Sequence, residues 1–479
     1  MDAKTKERSD IRCTLSYIVR TMLIYLIILI LPGIYNEKYL KFFGTIVFLS
    51  LVFMALRSYL NAFVSIRSQV PEFTREIEWP FVSIIVSAYY EEAVLDRTIQ
   101  SILALDYPKD KLEVLYVYES HCTDRTEDII LKYAQQNPFI KPIKKTSKSG
   151  GHAAANNYGI SFAKGNIIGI FDADQSLDYD LLKKAVISFD KPSIGCVRGR
   201  CQVLNRSVNL LSQVIALERD AIERIGIYGA YKLGGFANFG GAHGFFKREV
   251  FEKVGLFDEE ILCEDIDLTV RLYKAGYEIV HIPGIQSWEE VPTKIRPWWA
   301  QRKRWARGWM QVWRKYGLNI LKFENMSKYR TFETVISLAA SMSPAITIFT
   351  FPLILFSCCG YETTFFSENI SRLLWSFVTF APFATALLVW TLDSREHGRQ
   401  SLVEIPISFL LLPYIFLQFV VNWLALIDEF ILNRPSAFVK TERDTQLVSF
   451  HDKRSLFGVQ KVLLSSSFVQ DLERNKKTR

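Results

Sequence analysis

Asp172 and Asp174 stand one residue apart at the end of the apolar run Ile167-Ile168-Gly169-Ile170-Phe171. Such a run reads as a buried strand that delivers both carboxylates to the carboxyl edge of a sheet, where open α/β sheets bind ligands. Two carboxylates there suit a hard divalent cation, because Mg²⁺ takes oxygen ligands, uses one or two carboxylates and completes its shell with substrate phosphate oxygens. A turn with two solvated aspartates leaves the same trace, so the pair decides nothing until other groups join it. A second acidic cluster, Cys263-Glu264-Asp265-Ile266-Asp267, leads into a helical pattern ending near Gly276. Asp265 falls in its first turn, where the macrodipole favours an anion. Before it, Gly234-Gly235-Phe236-Ala237-Asn238-Phe239-Gly240-Gly241-Ala242-His243-Gly244 carries glycines that permit close backbone approach to a ligand. Residues 295–313 and the adjoining Arg314 mix Trp298, Trp299, Trp305, Trp309 and Trp313 with Arg296, Arg302, Lys303, Arg304 and Arg307. Amphipathic rings and basic heads of that kind belong at a membrane interface.

The elements that must position these groups alternate. An apolar strand at 81–87, helical spacing over 93–105, a strand at 112–118, helices from about 123 and from 152, the Asp-x-Asp strand and a helix from about 178 give βαβα order. That order predicts an α/β fold with a mostly parallel sheet and helices on both faces. No G-x-G-x-x-G follows the first strand, which disfavours a dinucleotide-binding enzyme. Residues 207–227 carry Leu210, Leu211, Val214, Ile215 and Leu217 at amphipathic spacing, a helix for a sheet or membrane surface.

The chain has 479 residues, 49% hydrophobic and 14% aromatic, and the apolar excess sits at its two ends. The runs 15–34, 42–64, 331–357, 373–392 and 402–427 are each long enough to cross a hydrocarbon core of ~30 Å. The net charge of +8 clusters beside these runs, at 2–20, 303–314 and 440–479, which fits an anionic membrane surface rather than nucleic acid. Residues 1–10 are charged and the next run lacks a cleavage pattern, so it reads as the first arm of a retained hairpin with a cytosolic start. Five crossings would put the basic tail from Lys440 on the opposite side, so one run is re-entrant or interfacial, or 402–427 folds back. The seven cysteines show no metal spacing, and a reduced compartment is the default.

Taken together, Val82-Ser83-Ile84-Ile85-Val86-Ser87-Ala88-Tyr89-Tyr90-Glu91-Glu92, Asp172-Ala173-Asp174, Cys263-Glu264-Asp265 and Gln301-Arg302-Lys303-Arg304-Trp305 resemble, in order and spacing, the membrane-integrated family 2 glycosyltransferases. That group includes cellulose, chitin, hyaluronan and poly-N-acetylglucosamine synthases. The likeness covers roughly residues 80–320, and Phe438-Val439-Lys440-Thr441-Glu442-Arg443 is similar to a pattern some members carry after the last membrane helix.

The resemblance implies a cytosolic GT-A domain that binds a nucleotide-diphosphate sugar, usually a UDP-sugar, and inverts the anomeric centre. It implies Mg²⁺ or Mn²⁺ at Asp172 and Asp174, Asp265 as catalytic base, and donor contacts from Ala88, Tyr89, Glu91, Glu119, His152, Asp172, Gln301, Arg304 and Trp305. Gly240, Gly241, Glu264 and Trp305 would meet the acceptor. The chemistry agrees: a cation offsets the charge of a departing diphosphate, and a guanidinium forks onto phosphate oxygens. An indole offers a sugar ring its flat face, although 301–305 could instead merely anchor an interfacial helix. An ordinary Asp pKa of ~3.9 means that Asp265 needs burial to serve as a base.

Three positions depart from the family pattern. Glu119-Ser120-His121-Cys122-Thr123-Asp124 stands where an Asp-Asp-Gly-Ser-x-Asp is common, and Glu119 would accept the uracil imide hydrogen. His152 stands where many members have Lys, which would turn a phosphate-facing cation into one titratable near neutrality. His243 would approach the metal or acceptor, with a packing role at least as good an account. Asn369-Ile370-Ser371 is a glycosylation sequon in an expected external loop.

The expected organisation is a cytosolic start and membrane hairpin (1–64), the GT-A domain (65–290), interfacial helices with the Gln-x-x-Arg-Trp motif (291–330), membrane helices (331–428) and a basic tail (429–479). The expected activity is processive: transfer to the non-reducing end of a β-linked polysaccharide and passage of the polymer across a multi-pass cell-membrane protein. Its partners would be the donor, the growing polymer and the bilayer, without nucleic acid, and with a homo-oligomer or accessory export subunit left open. The alternatives are single transfer to a membrane lipid, or an inert scaffold or export subunit. Sugar and linkage depend on pocket shape and stay open.

Overall fold

The computed structural model describes residues 27, 31–66, 78–147, 151–347, 349–397 and 401–435. Most of the first apolar run, Ser149-Gly150 and the 438–443 motif therefore lie outside the described residues.

Eight strands form one sheet in the order β3-β2-β1-β4-β7-β6-β8-β5. They are β1 (Val82–Ala88), β2 (Leu112–Glu119), β3 (Ile140–Lys145), β4 (Ile167–Asp172), β5 (Ser176–Leu177), β6 (Ile194–Val203), β7 (Gly244–Lys247) and β8 (Glu278–Glu289). Alternation along the strands explains why both faces are covered. Val82, Ile84 and Val86 of β1 join one apolar cluster with the Leu95–Leu103 and Leu181–Ile187 helices, while Ile85 joins a second with the Gly151–Phe162 and Glu264–Lys274 helices. Successive side chains point to opposite faces, so a continuously apolar strand needs cover on both.

The helices and strands expected from 81 to 187 are present, with β3 in addition. The sheet is mostly parallel, as expected, with six of its strands, β6 and β8 included, running one way and two reversed. β1, β2, β3 and β4 are parallel, but β7 runs antiparallel between β4 and β6, and β5 runs antiparallel to β8. β7 has four residues and is reached from β6 through the helical segments at Leu210–Ala221 and Tyr228–Lys232 and then the glycine-rich stretch.

Among the described residues, three helices are long and apolar enough to cross a membrane: Glu37–Ile66, Glu368–Glu396 and Glu404–Ile431. They cover three of the expected spans. The run 331–357 is not one continuous α-helix: it divides into Lys328–Ala339, a 3₁₀ turn at Ala340–Met342, Pro344–Thr347 and Thr350–Cys358. Pro344 lacks an N–H and so cannot continue the helical ladder from the preceding turn. The 402–427 run does not fold back; from Glu404 onward it belongs to the third candidate helix.

The Ile295–Tyr316 helix joins sheet and apolar helices. Trp305, Trp309 and Trp313 pack on the sheet's second cluster, whereas the buried Trp298 donates its indole N–H to Tyr414 on the Leu411–Leu426 helix at 2.8 Å. Ion pairs extend the junction from Lys303 to Asp428 (2.5 Å) and from Arg307 to Glu429 (3.0 Å). On β6, Arg200 pairs with Asp220 and Asp393, tying the sheet to the Leu210–Ala221 and Glu368–His397 helices.

Candidate active site

The carboxyl ends of β1, β2, β4 and β8 open into a cleft of about 670 Å³. β1 and β4 are parallel neighbours with Ser87 opposite Asp172, so the residues after β1 and the Asp-x-Asp turn emerge side by side. The cleft brings together all the candidate residues read from the sequence except His243: Ala88, Tyr89, Glu91, Glu119, His152, Asp172, Asp174, Gly240, Gly241, Glu264, Asp265, Gln301, Arg304 and Trp305. His243 is not among its lining. That ring is fully buried, its Nδ1 lies 2.7 Å from Ser287 Oγ, and burial pushes its pKa down to about 3, so it packs as a neutral group.

The turn after β4 is held from the Leu95–Leu103 helix. Thr98 Oγ1 donates to the Ala173 carbonyl at 2.6 Å, and Arg97 donates to the Asp174 carbonyl at 3.1 Å while pairing with Glu290 at 2.6 Å. Glu289 ends β8 in the same cleft beside Arg219. Burial raises its pKa; Arg219 opposes the rise, and the Asp174 and Asp172 charges add to it. Among the described residues, no three His, Cys, Asp or Glu side chains converge as a ready-made metal cage. Asp172, half-buried, and Asp174, buried, nonetheless offer hard oxygen donors whose neighbouring charges favour a cation, so the residues fit a divalent ion that takes further oxygens from a diphosphate.

His152, in the first turn of the Gly151–Phe162 helix, bridges the two acidic motifs. Its Nε2 lies 2.9 Å from Asp172 Oδ1 and its Nδ1 lies 2.8 Å from Glu264 Oε1. Burial favours the neutral ring, but the two carboxylate hydrogen bonds outweigh it and bring the pKa up to about 10. With both carboxylates beside it the ring is biased towards its protonated form, above the near-neutral titration that the Lys-to-His departure predicted. A cation that gains two charge-assisted bonds keeps its proton.

Asp265 lies in the first turn of the Glu264–Lys274 helix. Burial and the Glu264 charge push its pKa up to about 7, against the pull of Arg304 and of backbone N–H groups. The glycine-rich stretch passes alongside: a Cβ at Gly241, where φ is 89°, would stand 3.7 Å from Asp265 Oδ2. At Gly240, where φ is 82°, a Cβ would press on Arg198 Nη1 at 2.9 Å. Gln301, Arg304 and Trp305 share one face of their helix by their spacing of three and four. The Trp305 ring lies 4.6 Å from the Arg302 guanidinium, which pairs with Glu218 at 2.6 Å.

Beside Glu119, the mouth carries an aromatic group. Tyr89 and Tyr90 meet edge to face at 4.7 Å, and Tyr89 lies 5.4 Å from the His121 ring. Lys145 is buried 3.1 Å from the Glu119 carboxylate, whose oxygens can accept an imide hydrogen. Sequence reasoning missed His121, Arg198, Arg219, Glu223 and Glu289 as lining residues. Glu289 had a signal, since the β8 segment ends in Trp288-Glu289-Glu290 much as β4 ends in its aspartates. Arg198 and Glu223 had none, because their 2.7 Å ion pair joins a strand to a helix that only the packing brings near.

Comparison with known proteins follows the same lines. The model described as "Glycosyl transferase family group 2" matches residues 167–426, more than half of the chain. A beta-monoglucosyldiacylglycerol synthase of Synechocystis is 32% identical over 241 residues, 50% of each chain, so this chain spans only half the length of that relative. A poly-beta-1,6-N-acetyl-D-glucosamine synthase of Staphylococcus epidermidis is 27% identical over 324 residues, 66% of this chain and 76% of that protein. Among solved structures, the mannosyltransferase PcManGT of Pyrobaculum calidifontis, in complex with GDP-Man and Mn²⁺, superposes with a TM-score of 0.55 at 22% identity, covering 82% of this chain and 99% of its own, a likeness of fold. With a GT-A-like sheet and a matching family model over more than half its length, the chain belongs to the family group 2 glycosyl transferases.

Proposed function

We propose that the chain is an inverting, membrane-bound transferase that moves a sugar from a nucleotide-diphosphate donor, a UDP-sugar, to the growing non-reducing end of a β-linked polysaccharide. The observation that carries this reading is one cleft holding a carboxylate with a pKa of about 7, a carboxylate pair for a cation, and an Arg-Trp face on a helix that is itself bonded, through Trp298, to a long apolar helix. Asp172 and Asp174 would hold Mg²⁺ or Mn²⁺, which supplies charge to offset the diphosphate as it departs. Arg304 adds donors on the same phosphates, and Trp305 and Gln301 orient the sugar. Asp265 takes the acceptor hydroxyl proton as that oxygen bonds to the anomeric carbon and the carbon–phosphate oxygen bond breaks. Tyr89 and Glu119 suit the base.

Membrane attachment follows from the three apolar helices and from the bonds joining the cleft to one of them. With the apolar run at 15–34 as a further crossing, four spans would return the basic tail to the cytosolic side with the catalytic domain. Polymer extension is favoured by the long alignment with the poly-N-acetylglucosamine synthase. The second reading, one sugar onto a membrane lipid, is favoured by the glucosyldiacylglycerol synthase. Radiolabel transfer by the purified protein with Mg²⁺ or Mn²⁺ and UDP-glucose, UDP-N-acetylglucosamine, UDP-glucuronate, UDP-galactose or GDP-mannose, singly and in pairs, separates them. High-molecular-weight product supports polymer extension, label confined to lipid supports the second reading, and full polymer export by Asp265→Asn in cells would refute both.

A further inference from the structure

Asp265 and the Arg304–Trp305 pair sit on two helices that meet at backbone distance. Gly308, four residues beyond Arg304 on the Ile295–Tyr316 helix, is buried against Cys263, the residue at the N-terminus of the Glu264–Lys274 helix. A Cβ at Gly308 would stand 2.4 Å from Cys263 Sγ, 2.7 Å from its Cβ and 2.7 Å from its backbone nitrogen. A thiol can swing aside. The nitrogen at the head of a helix moves only with the helix, and with it go Glu264 and Asp265. Gly308 is mid-helix and not among the positive-φ residues, where glycine costs roughly 1 kcal/mol against alanine, so close approach is what this position needs from it.

Hydrogen bonds hold the register of the seam. The Leu262 N–H donates to Gln311 Oε1 at 3.0 Å, and Gln311 Nε2 donates to Glu429 Oε2 at 3.1 Å, an oxygen that also accepts from Arg307 Nε at 3.0 Å. Cys263 Sγ lies 3.5 Å from the Trp305 carbonyl. The head of the Asp265 helix is thereby tied, through Gln311, to a carboxylate at the end of a long apolar helix.

We propose that Gly308 is a positioning residue that, with Gln311, sets the separation between the Asp265 carboxylate and the Arg304–Trp305 face, and so the in-line geometry of acceptor attack. This rests on the reading of Asp265 as proton acceptor. A displacement of about 1 Å at the reacting groups is worth on the order of 100-fold in rate.

The test compares Gly308→Ala, Gln311→Leu and Asp265→Asn with the unaltered full-length protein in detergent, using the donor that the transfer assay finds active. It reads kcat, KM, the ratio of transfer to donor hydrolysis, and calorimetric affinity for UDP, or for GDP if GDP-mannose is the donor. Gly308→Ala is expected to lose on the order of 100-fold in kcat, to shift towards hydrolysis, and to lose far less affinity for the nucleoside diphosphate than rate, because Ala88, Tyr89 and Glu119 lie on other elements and only Arg304 shares the altered helix. Adding Cys263→Gly removes two of the three clashing atoms and is expected to restore part of the rate. Gln311→Leu keeps the glycine contact, frees the Leu262 N–H, and carries the test if Gly308→Ala is not recovered folded. Normal kcat in either variant beside an inactive Asp265→Asn overturns the proposal, as does a parallel loss of kcat and nucleotide affinity, the mark of general loosening. Transfer by Asp265→Asn would instead overturn the underlying reading of the base.

Discussion

A base with a pKa of about 7 makes transfer sensitive to acid in a range where an ordinary aspartate is silent. Asp265 must be ionised to accept a proton, so rate is lost as pH falls through 7. At pH 8 about 90% of it is ionised and at pH 6 about 10%, a roughly tenfold fall, whereas a group at ~3.9 stays ionised at both. His152, its pKa raised to about 10, titrates above this window. Part of the upward shift comes from the Glu264 charge. Glu264→Gln removes that charge yet keeps an oxygen to accept from His152 Nδ1, and should move the acid limb down by on the order of one pH unit. The assay is kcat/KM for label transfer from pH 5.5 to 9, with preincubation at each pH to exclude inactivation. A rate flat between pH 6 and 8, or a limb that Glu264→Gln leaves in place, would refute the assignment of Asp265 as a base tuned by burial and its neighbour.

Asp174→Ala should abolish metal-dependent transfer while the protein still reaches the membrane, and a Mn²⁺ titration of nucleotide affinity should lose its metal dependence; normal turnover with metal would count against this ligand. Trp305→Ala should cost about 1 to 1.5 kcal/mol of transition-state stabilisation, roughly tenfold in kcat/KM, with little change in thermal stability. Unchanged kinetics would leave Trp305 an anchor of its helix. Arg200→Met strands Asp393 and half of Asp220 inside the junction of sheet and apolar helices, and should destabilise the protein by about 3 kcal/mol in detergent melting. An unaltered Tm would mean that the pair is satisfied by water.

Much of the scaffold was legible because its signals are local. The apolar runs of β1, β2 and β4, each followed by helical spacing, announce buried strands and covering helices, and the pattern holds in space. β7 was not legible as an antiparallel insertion, because four residues carry no direction and pairing with β4 and β6 is a long-range event. The break in 331–357 was half legible. Pro344 and the hydropathy pulled in opposite directions, and hydropathy alone cannot distinguish a straight helix from a broken one of the same composition.

By itself the sequence determined which side chains were available for chemistry: Asp172 and Asp174 at a strand end, Asp265 in a first helical turn, and Gln301, Arg304 and Trp305 on one helical face. Periodicity alone sets each of these. The tertiary structure decided what those groups became. His152 lies 112 residues from Glu264 and 20 from Asp172, yet bonds to both, and its charge follows from that bridge. Asp265 owes its pKa of about 7 to burial and to Glu264, and its distance from Arg304 to a glycine that meets Cys263 across 45 residues of sequence. Charge state and separation depend on the surrounding dielectric and on packing between elements, and neither is a property of a residue type or of its spacing along the chain.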